Sequence, residues 1–247
     1  MTPYYEDSTV TIYNGEALAV LASLPDASVD HIVTDPPYSS GGMVRGDRTQ
    51  STGVKYVQSS TERELDDFTG DNRDQRGHAY WMALWVDQCR RIAKPGAILA
   101  MFTDWRQLPT ATDAMQAGGW VWRGISTWGK TTARPVPNRF AASCEFVVWG
   151  TNGPRDMSDA KNATYAAGLM MHPTPAQRVH QTQKPVEVMR WVLSFAKPGD
   201  VILDPFMGSG STLEAAKQLN CKAIGVEMSQ TWCRYAVDRT AQEVLAL

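Results

Sequence analysis

The sequence predicts an α/β fold built on a doubly wound, mostly parallel seven-stranded sheet. Three observations lead there. Short apolar runs recur along the chain, segments with helical spacing lie between most of them, and the 247 residues are 43% hydrophobic and 20% charged, enough apolar material for a sizeable core. Several runs are apolar throughout instead of alternating, which is the pattern of strands covered on both faces.

In chain order the strand-like runs are Val10–Tyr13, His31–Thr34, Ala97–Thr103, Trp120–Thr127, Glu145–Trp149, Val201–Leu203 and Ala223–Glu227. Glu16–Leu24 follows the first and carries Leu18, Leu21 and Ala22 at helical spacing. Ala79–Ile92 precedes the third and aligns Trp81, Leu84, Trp85 and Ile92 in one stripe. Pro185–Phe195 opens on a proline, which suits a first helical turn because the N–H it lacks would be unbonded there anyway. Ser211–Leu219 and Gln230–Leu245 follow the last two strands. Strand–helix alternation returns each strand to the sheet in parallel. No helical pattern separates the fourth and fifth runs, so these two are expected to form a terminal antiparallel hairpin. Two stretches fit no element: 39–77 is polar and glycine-rich, and 151–183 is rich in Pro, Asn, Thr and Met. Loops of that length in a compact domain are usually binding insertions or lids. The chain therefore reads as one domain, 1–247, with two insertions.

Charge and composition narrow the function. The formal net charge is −2, yet residues 123–190 hold nine Lys/Arg against four Asp/Glu. That bias suits a protein that meets phosphates on one face only. No apolar run approaches the ~20 residues of a membrane span. Met1–Asp7 lacks a basic segment followed by an apolar one. A cytoplasmic protein with no membrane partner is expected. The cysteines at 89, 144, 221 and 233 and the histidines at 31, 78, 172 and 180 show no metal-ligand spacing, so no metal is expected.

The sharpest motif is Asp35-Pro36-Pro37-Tyr38, directly after an apolar strand. Two prolines end the strand and fix a rigid turn. That turn leaves a carboxylate, the Pro36 carbonyl and an aromatic ring at the carboxyl end of a strand, where open α/β sheets bind ligands. These groups can hold a planar amine: each oxygen accepts one N–H, and the ring stacks on the base that carries it. The second motif, Asp204-Pro205-Phe206-Met207-Gly208-Ser209-Gly210-Ser211-Thr212, joins a strand to a helix. Its glycines let a ligand approach the backbone, so a side chain at Gly210 is expected to fill ligand space. Leu213 stands where a dinucleotide fingerprint needs its third glycine, and no phosphate-loop lysine is present, which disfavours NAD and ATP. Glu227, ending the next strand, is placed to take the ribose hydroxyls of a nucleoside cofactor.

Together these motifs resemble the S-adenosylmethionine-dependent amino-methyltransferases of DNA, over most of the chain. In that family D/N/S-P-P-Y/F is the catalytic motif and F-x-G-x-G holds the cofactor. Asp35–Tyr38 and Phe206–Gly210 match them, in the permuted order of the β class. His180-Gln181-Thr182-Gln183-Lys184-Pro185 resembles that class's entry to the helix beside the cofactor. Trp128-Gly129-Lys130 through Pro137-Asn138-Arg139-Phe140 and Glu145 resembles its loop between the last two strands. Glu16 stands where relatives often carry Asp beside the cofactor adenine.

The resemblance implies a Rossmann-like methyltransferase fold, with S-adenosyl-L-methionine as cofactor and double-stranded DNA as substrate. It implies transfer to the N6 amine of a flipped adenine, with Asp35, Pro36, Pro37 and Tyr38 as catalytic residues. Cofactor contacts would come from Glu16, Thr182 and Lys184, from Asp204, Phe206, Gly208, Ser209, Gly210, Ser211 and Thr212, and from Glu227. Lys130, Arg134, Arg139 and Phe140 would meet DNA, and the insertions 39–77 and 151–183 would read the target. Methylation at N4 of cytosine is the nearest alternative, although members acting on cytosine more often have Ser at the first motif position. A catalytically silent, cofactor-binding DNA module is another. A second copy of the chain and a restriction endonuclease are both compatible partners.

Overall fold

The computed structural model describes residues 1–39, 73–133, 135, 137–155, 163–175 and 183–241. Its strands are β1 (Tyr5–Glu6), β2 (Val10–Asn14), β3 (Val29–Thr34), β4 (Ala93–Thr103), β5 (Val121–Gly129), β6 (Cys144–Thr151), β7 (Leu169–Met171), β8 (Val201–Asp204) and β9 (Lys222–Glu227). Its helices are α1 (Ala17–Ser23), α2 (Gln75–Ile92), α3 (Leu108–Ala117), α4 (Val186–Val192), α5 (Ser211–Gln218) and α6 (Gln230–Ala241). The strands form one sheet in the order β1-β2-β9-β8-β3-β4-β6-β5-β7. From β2 to β4 every neighbouring pair is parallel, while β6 runs antiparallel to both β4 and β5.

The two faces of the sheet read directly off alternating residues. Along β4, Ile98, Ala100 and Phe102 join one cluster with residues of α4, α5 and α6. Leu99 and Met101 join the other, with residues of α1, α2 and α3. A strand points successive side chains to opposite faces, so a continuous apolar run feeds both layers. The central run the sequence shows is thus what a sheet covered on both sides requires.

The sheet has nine strands among the described residues, two more than expected. The additions are short: β1 pairs with the edge of β2, and β7 lies inside the stretch 151–183 that showed no regular pattern. The β5–β6 pair is antiparallel, as expected, but β7 adds outside it, so the hairpin does not end the sheet. A helix absent from the sequence reading, α3, fills the link between β4 and β5, with Pro109 in its first turn and Gly118 closing it. Helix α2 begins at Gln75, four residues before the expected start, because the Asp74 carboxylate accepts the N–H groups of Arg76 and Gly77 at 3.0 and 2.9 Å. Its buried face centres on Met82, Trp85, Val86 and Cys89, which turns Leu84 toward solvent.

Among the described residues, no helix is long and apolar enough to cross a membrane. Strand β8 leads on to β9 on one side, and β3 leads to β4 on the other. The chain leaves these two adjacent strands in opposite directions, which opens a crevice beyond their carboxyl ends.

Candidate functional site

Asp35–Tyr38 leaves β3 at that crevice, and the turn is tied down at both ends. At its start the Thr34 hydroxyl donates to Asp204 Oδ1 at 2.6 Å. At its far end Ser39 adopts a left-handed conformation (φ 50°), and its carbonyl accepts from Gln107 Nε2 at 3.2 Å. Gln107 is itself locked to Gln75 by reciprocal amide hydrogen bonds of 2.8 and 3.2 Å. Both prolines lack an N–H, so between these ties the turn has no donor to pair at those positions.

Four charged side chains meet over the turn. Lys184, buried just before α4, donates to Asp35 Oδ2 and lies 3.1 Å from Glu145 Oε2. Lys130, at the end of β5, donates to Glu145 Oε1. The Tyr38 hydroxyl donates to Asp35 Oδ1 at 2.6 Å and lies 3.3 Å from Glu145 Oε2. Burial works against the charge on Glu145, but the Lys184 and Lys130 ammoniums hold its carboxyl at about 2. Burial likewise opposes the charge on Lys184, and the two carboxylates more than offset it, raising its pKa. Burial and the Glu145 carboxylate push Asp35 above the usual range, with Lys184 opposing them.

The neighbouring strand end supplies a glycine turn. Asp204 is buried, and its oxygens accept from Thr34, from Thr212 Oγ1 at 2.5 Å and from the Phe206 N–H at 3.0 Å. It therefore braces β3 against α5, with both oxygens engaged by the protein. Burial pushes its carboxyl up to about 6. A raised carboxyl binds its proton in the folded chain at a pH where the unfolded chain has released it. Its contribution to stability is therefore greatest at low pH and is lost as pH rises through about 6. Asp204→Asn keeps the shape and an acceptor for the Phe206 N–H. It is expected to be at least as stable as the parent at pH 7 and to remove that slope between pH of about 4 and 6, which thermal unfolding across the range would measure.

Within the turn, Gly210 (φ 81°) caps α5, and a Cβ there would sit 3.0 Å from the Ala236 methyl of α6. A side chain at 210 would thus meet protein first, contrary to the expectation from sequence. Gly208 (φ 50°) is the position that faces open space, with nothing within 4 Å of an added Cβ. Glu227 ends β9 beside this turn and accepts the Ser229 N–H at 2.8 Å. Its pKa is raised by burial. Glu16 stands at the same edge, because Asn14 of β2 pairs with Glu227, and its carboxylate caps α1 on the Ala19 N–H at 3.0 Å.

The fold thus gathers Asp35–Tyr38, Lys184 and the 204–212 turn at one edge of the sheet. Ser211 Oγ ties two of these together by donating to the Lys184 carbonyl at 2.9 Å. Several predicted residues sit differently from their expected roles. Lys184 was expected at the cofactor, but its ammonium lies on Asp35 and Glu145. Lys130 was expected to meet DNA, but its ammonium is held on Glu145. The Phe206 ring packs on Trp81 and Trp85 of α2, centroids 5.3 Å away in each case. Arg139 is exposed and Phe140 fully so, in the loop joining β5 and β6 at this edge. Thr182, Arg134, residues 40–72 of the first insertion, and residues 156–162 and 176–182 of the second lie outside the described residues. The residue that sequence reasoning undervalued is Glu145, named only as the first residue of a strand and the end of the loop before it, with no role at the site. An acid opening the apolar run Phe146–Trp149 was the available signal.

A family model described as DNA methylase, N6/N4 type, matches residues 29–238. The Type II methyltransferase M.HinfI of Haemophilus influenzae is 27% identical over 256 aligned positions, covering 93% of this chain and 67% of that protein. The Type II methyltransferase M2.LlaDCHI of Lactococcus lactis subsp. cremoris is 26% identical over 260, covering 96% and 91%. Two solved structures share the fold. The PvuII DNA methyltransferase, cytosine-N4-specific, superposes with a TM-score of 0.74 at 16% identity, over 99% of this chain and 90% of that one. The M1.HpyAVI–SAM complex does so at 0.68 and 23% identity, over 94% and 100%.

Proposed function

The chain belongs to the N6/N4 DNA methylase family, and within it we propose that the protein methylates the N6 amine of adenine in duplex DNA, with S-adenosylmethionine as donor. The observation that carries this reading is the anchored Asp35–Tyr38 turn, whose carboxylate and Pro36 carbonyl stand at the crevice between β3 and β8. An aromatic amine is a poor nucleophile because its lone pair is delocalised into the ring. Asp35 and the Pro36 carbonyl accept its two N–H bonds and localise that pair, and fixed orientation supplies much of the remaining acceleration. In the structure the Tyr38 hydroxyl occupies Asp35 Oδ1, so the amine exchanges with it.

The amine is out of reach inside a stacked duplex, so the base must be flipped out, and the Tyr38 ring is the stacking surface for it. The open space over Gly208 and the Glu227 carboxylate beside it suit a nucleoside cofactor, and the M1.HpyAVI neighbour is described as a complex with SAM. When bound, that cofactor supplies an electrophilic methyl on a sulfonium. The chain acts as a single methyltransferase domain, its two insertions read the target, and its DNA substrate implies a cytoplasmic site of action, at the nucleoid if the chain is bacterial or phage-encoded.

Arg139 and Phe140 are the exposed candidates for DNA contact, and Lys130 is set aside because Glu145 holds it. Phosphate contacts release counterions, so Arg139→Ala is expected to weaken binding to all sequences and to reduce the salt slope by about one. A salt titration of DNA affinity reads both. The function itself is tested by sequencing modified bases in DNA from cells that express the protein, where N6-methyladenine at a defined site is expected. N4-methylcytosine, the base chemistry named for the PvuII neighbour, would move the reading to cytosine. Unmodified DNA in the presence of folded protein would overturn it.

A further inference from the structure

Asp35, Lys184, Glu145 and Lys130 come from four separate parts of the chain: the turn after β3, the segment before α4, the start of β6 and the end of β5. The cluster is neutral, two charges of each sign, and its side chains are 6 to 21% exposed. Taking ions out of water is costly, and apolar residues of similar size would hold these elements together as well or better. A charge cluster at this cost, centred on the reacting carboxylate, points to the chemistry.

We propose that Lys184 and Glu145 are positioning residues for methyl transfer: Lys184 keeps Asp35 an acceptor, and Glu145 draws off part of the same ammonium so that Asp35 keeps an oxygen for the amine. The inference rests on the methyltransferase reading. Without Lys184, Asp35 would sit buried beside Glu145 and take up a proton, and a protonated carboxyl no longer offers both oxygens. With Lys184 but without Glu145, the whole ammonium would fall on Asp35 and tighten that pair at the amine's expense. Glu145 has a second part to play. When the amine displaces the Tyr38 hydroxyl from Asp35, Glu145 Oε2, 3.3 Å away, remains as its acceptor. No buried hydroxyl is then stranded without a partner.

The charged and titratable groups that bear on Asp35 come from every side. They are Tyr38 on its own turn, Lys184, Glu145 and, across the strand boundary, Asp204. Lys130 stands behind Glu145, and Asp104 bears on Tyr38. Removing Lys184 takes a positive charge from Asp35 and raises its pKa. Removing the charge of Glu145 takes away a negative one and lowers it. Transfer needs Asp35 ionised, so the acid limb of the rate must move in opposite directions in the two variants.

The test is single-turnover methyl transfer to duplex DNA, followed between pH of about 5 and 8 in wild type, Lys184→Met, Lys184→Arg and Glu145→Gln. In Lys184→Met the limb is expected to rise by about one pH unit or more, and in Lys184→Arg to return toward wild type. In Glu145→Gln it is expected to fall. A purely structural role would lower the rate at every pH and leave the limb in place. Limbs that stay put, or that move the same way in both charge-removing variants, overturn the inference. If Lys184→Met does not fold, Glu145→Gln, which preserves shape, decides the sign alone. Wild-type protein that methylates no DNA overturns the methyltransferase reading itself, and this inference with it.

Discussion

Asp35→Ala is expected to slow methyl transfer about a hundred- to a thousandfold, the ~2.7–4 kcal/mol typical of losing one preorganised polar contact in a transition state. The fold should survive the change, because Lys184 keeps Glu145 as a partner 3.1 Å away and the turn keeps its ties at Thr34 and Ser39. Cofactor affinity should also survive, since the open space of the second turn lies at Gly208, after β8. Rate measurements and calorimetry with S-adenosylmethionine on the same preparation separate these effects. A folded Asp35→Ala protein with near-parental turnover would rule out the carboxylate as the amine's acceptor.

Gly208→Val is expected to weaken S-adenosylmethionine binding by at least about a hundredfold. Two causes act together: valine disfavours the left-handed backbone found there (φ 50°), and its methyls would enter the open space beside the turn. Gly210→Ala is the informative contrast, because its methyl would press on Ala236 and show first as lost stability. Glu227→Ala should weaken the cofactor without affecting the fold comparably. Calorimetry together with thermal unfolding distinguishes the three. Unchanged affinity in Gly208→Val would place the cofactor somewhere other than over this turn.

Most of the sheet was legible in the chain because the strands that carry the site are buried on both faces. Val33 and Ile32, or Ile202 and Leu203, face opposite layers, so each run is apolar without interruption. The edge strands gave no such signal: β1 has two residues and β7 three, and neither needs a continuous apolar run. Helix α3 went unread although Pro109 and Gly118 bracket it, because its buried face is made of Thr110, Ala111, Ala114 and Met115. Small residues mark a stripe weakly.

By itself the sequence determined the two turns at the strand ends, since the paired prolines after Thr34 stop that strand and the glycines after Asp204 let the chain turn into a helix. It also determined their order along the chain, and with it the family. The tertiary structure alone decided which charges meet. Lys184 lies 149 residues from Asp35 and Glu145 lies 107 from Tyr38, so no local pattern links them. Only the adjacency of β3, β4 and β6, together with the packing of α5 on the segment before α4, brings them to one point. Motif position assigned Lys184 to the cofactor and Lys130 to DNA. Burial overrode both assignments, because an ammonium removed from water must find a carboxylate, and Asp35 and Glu145 are the ones within reach.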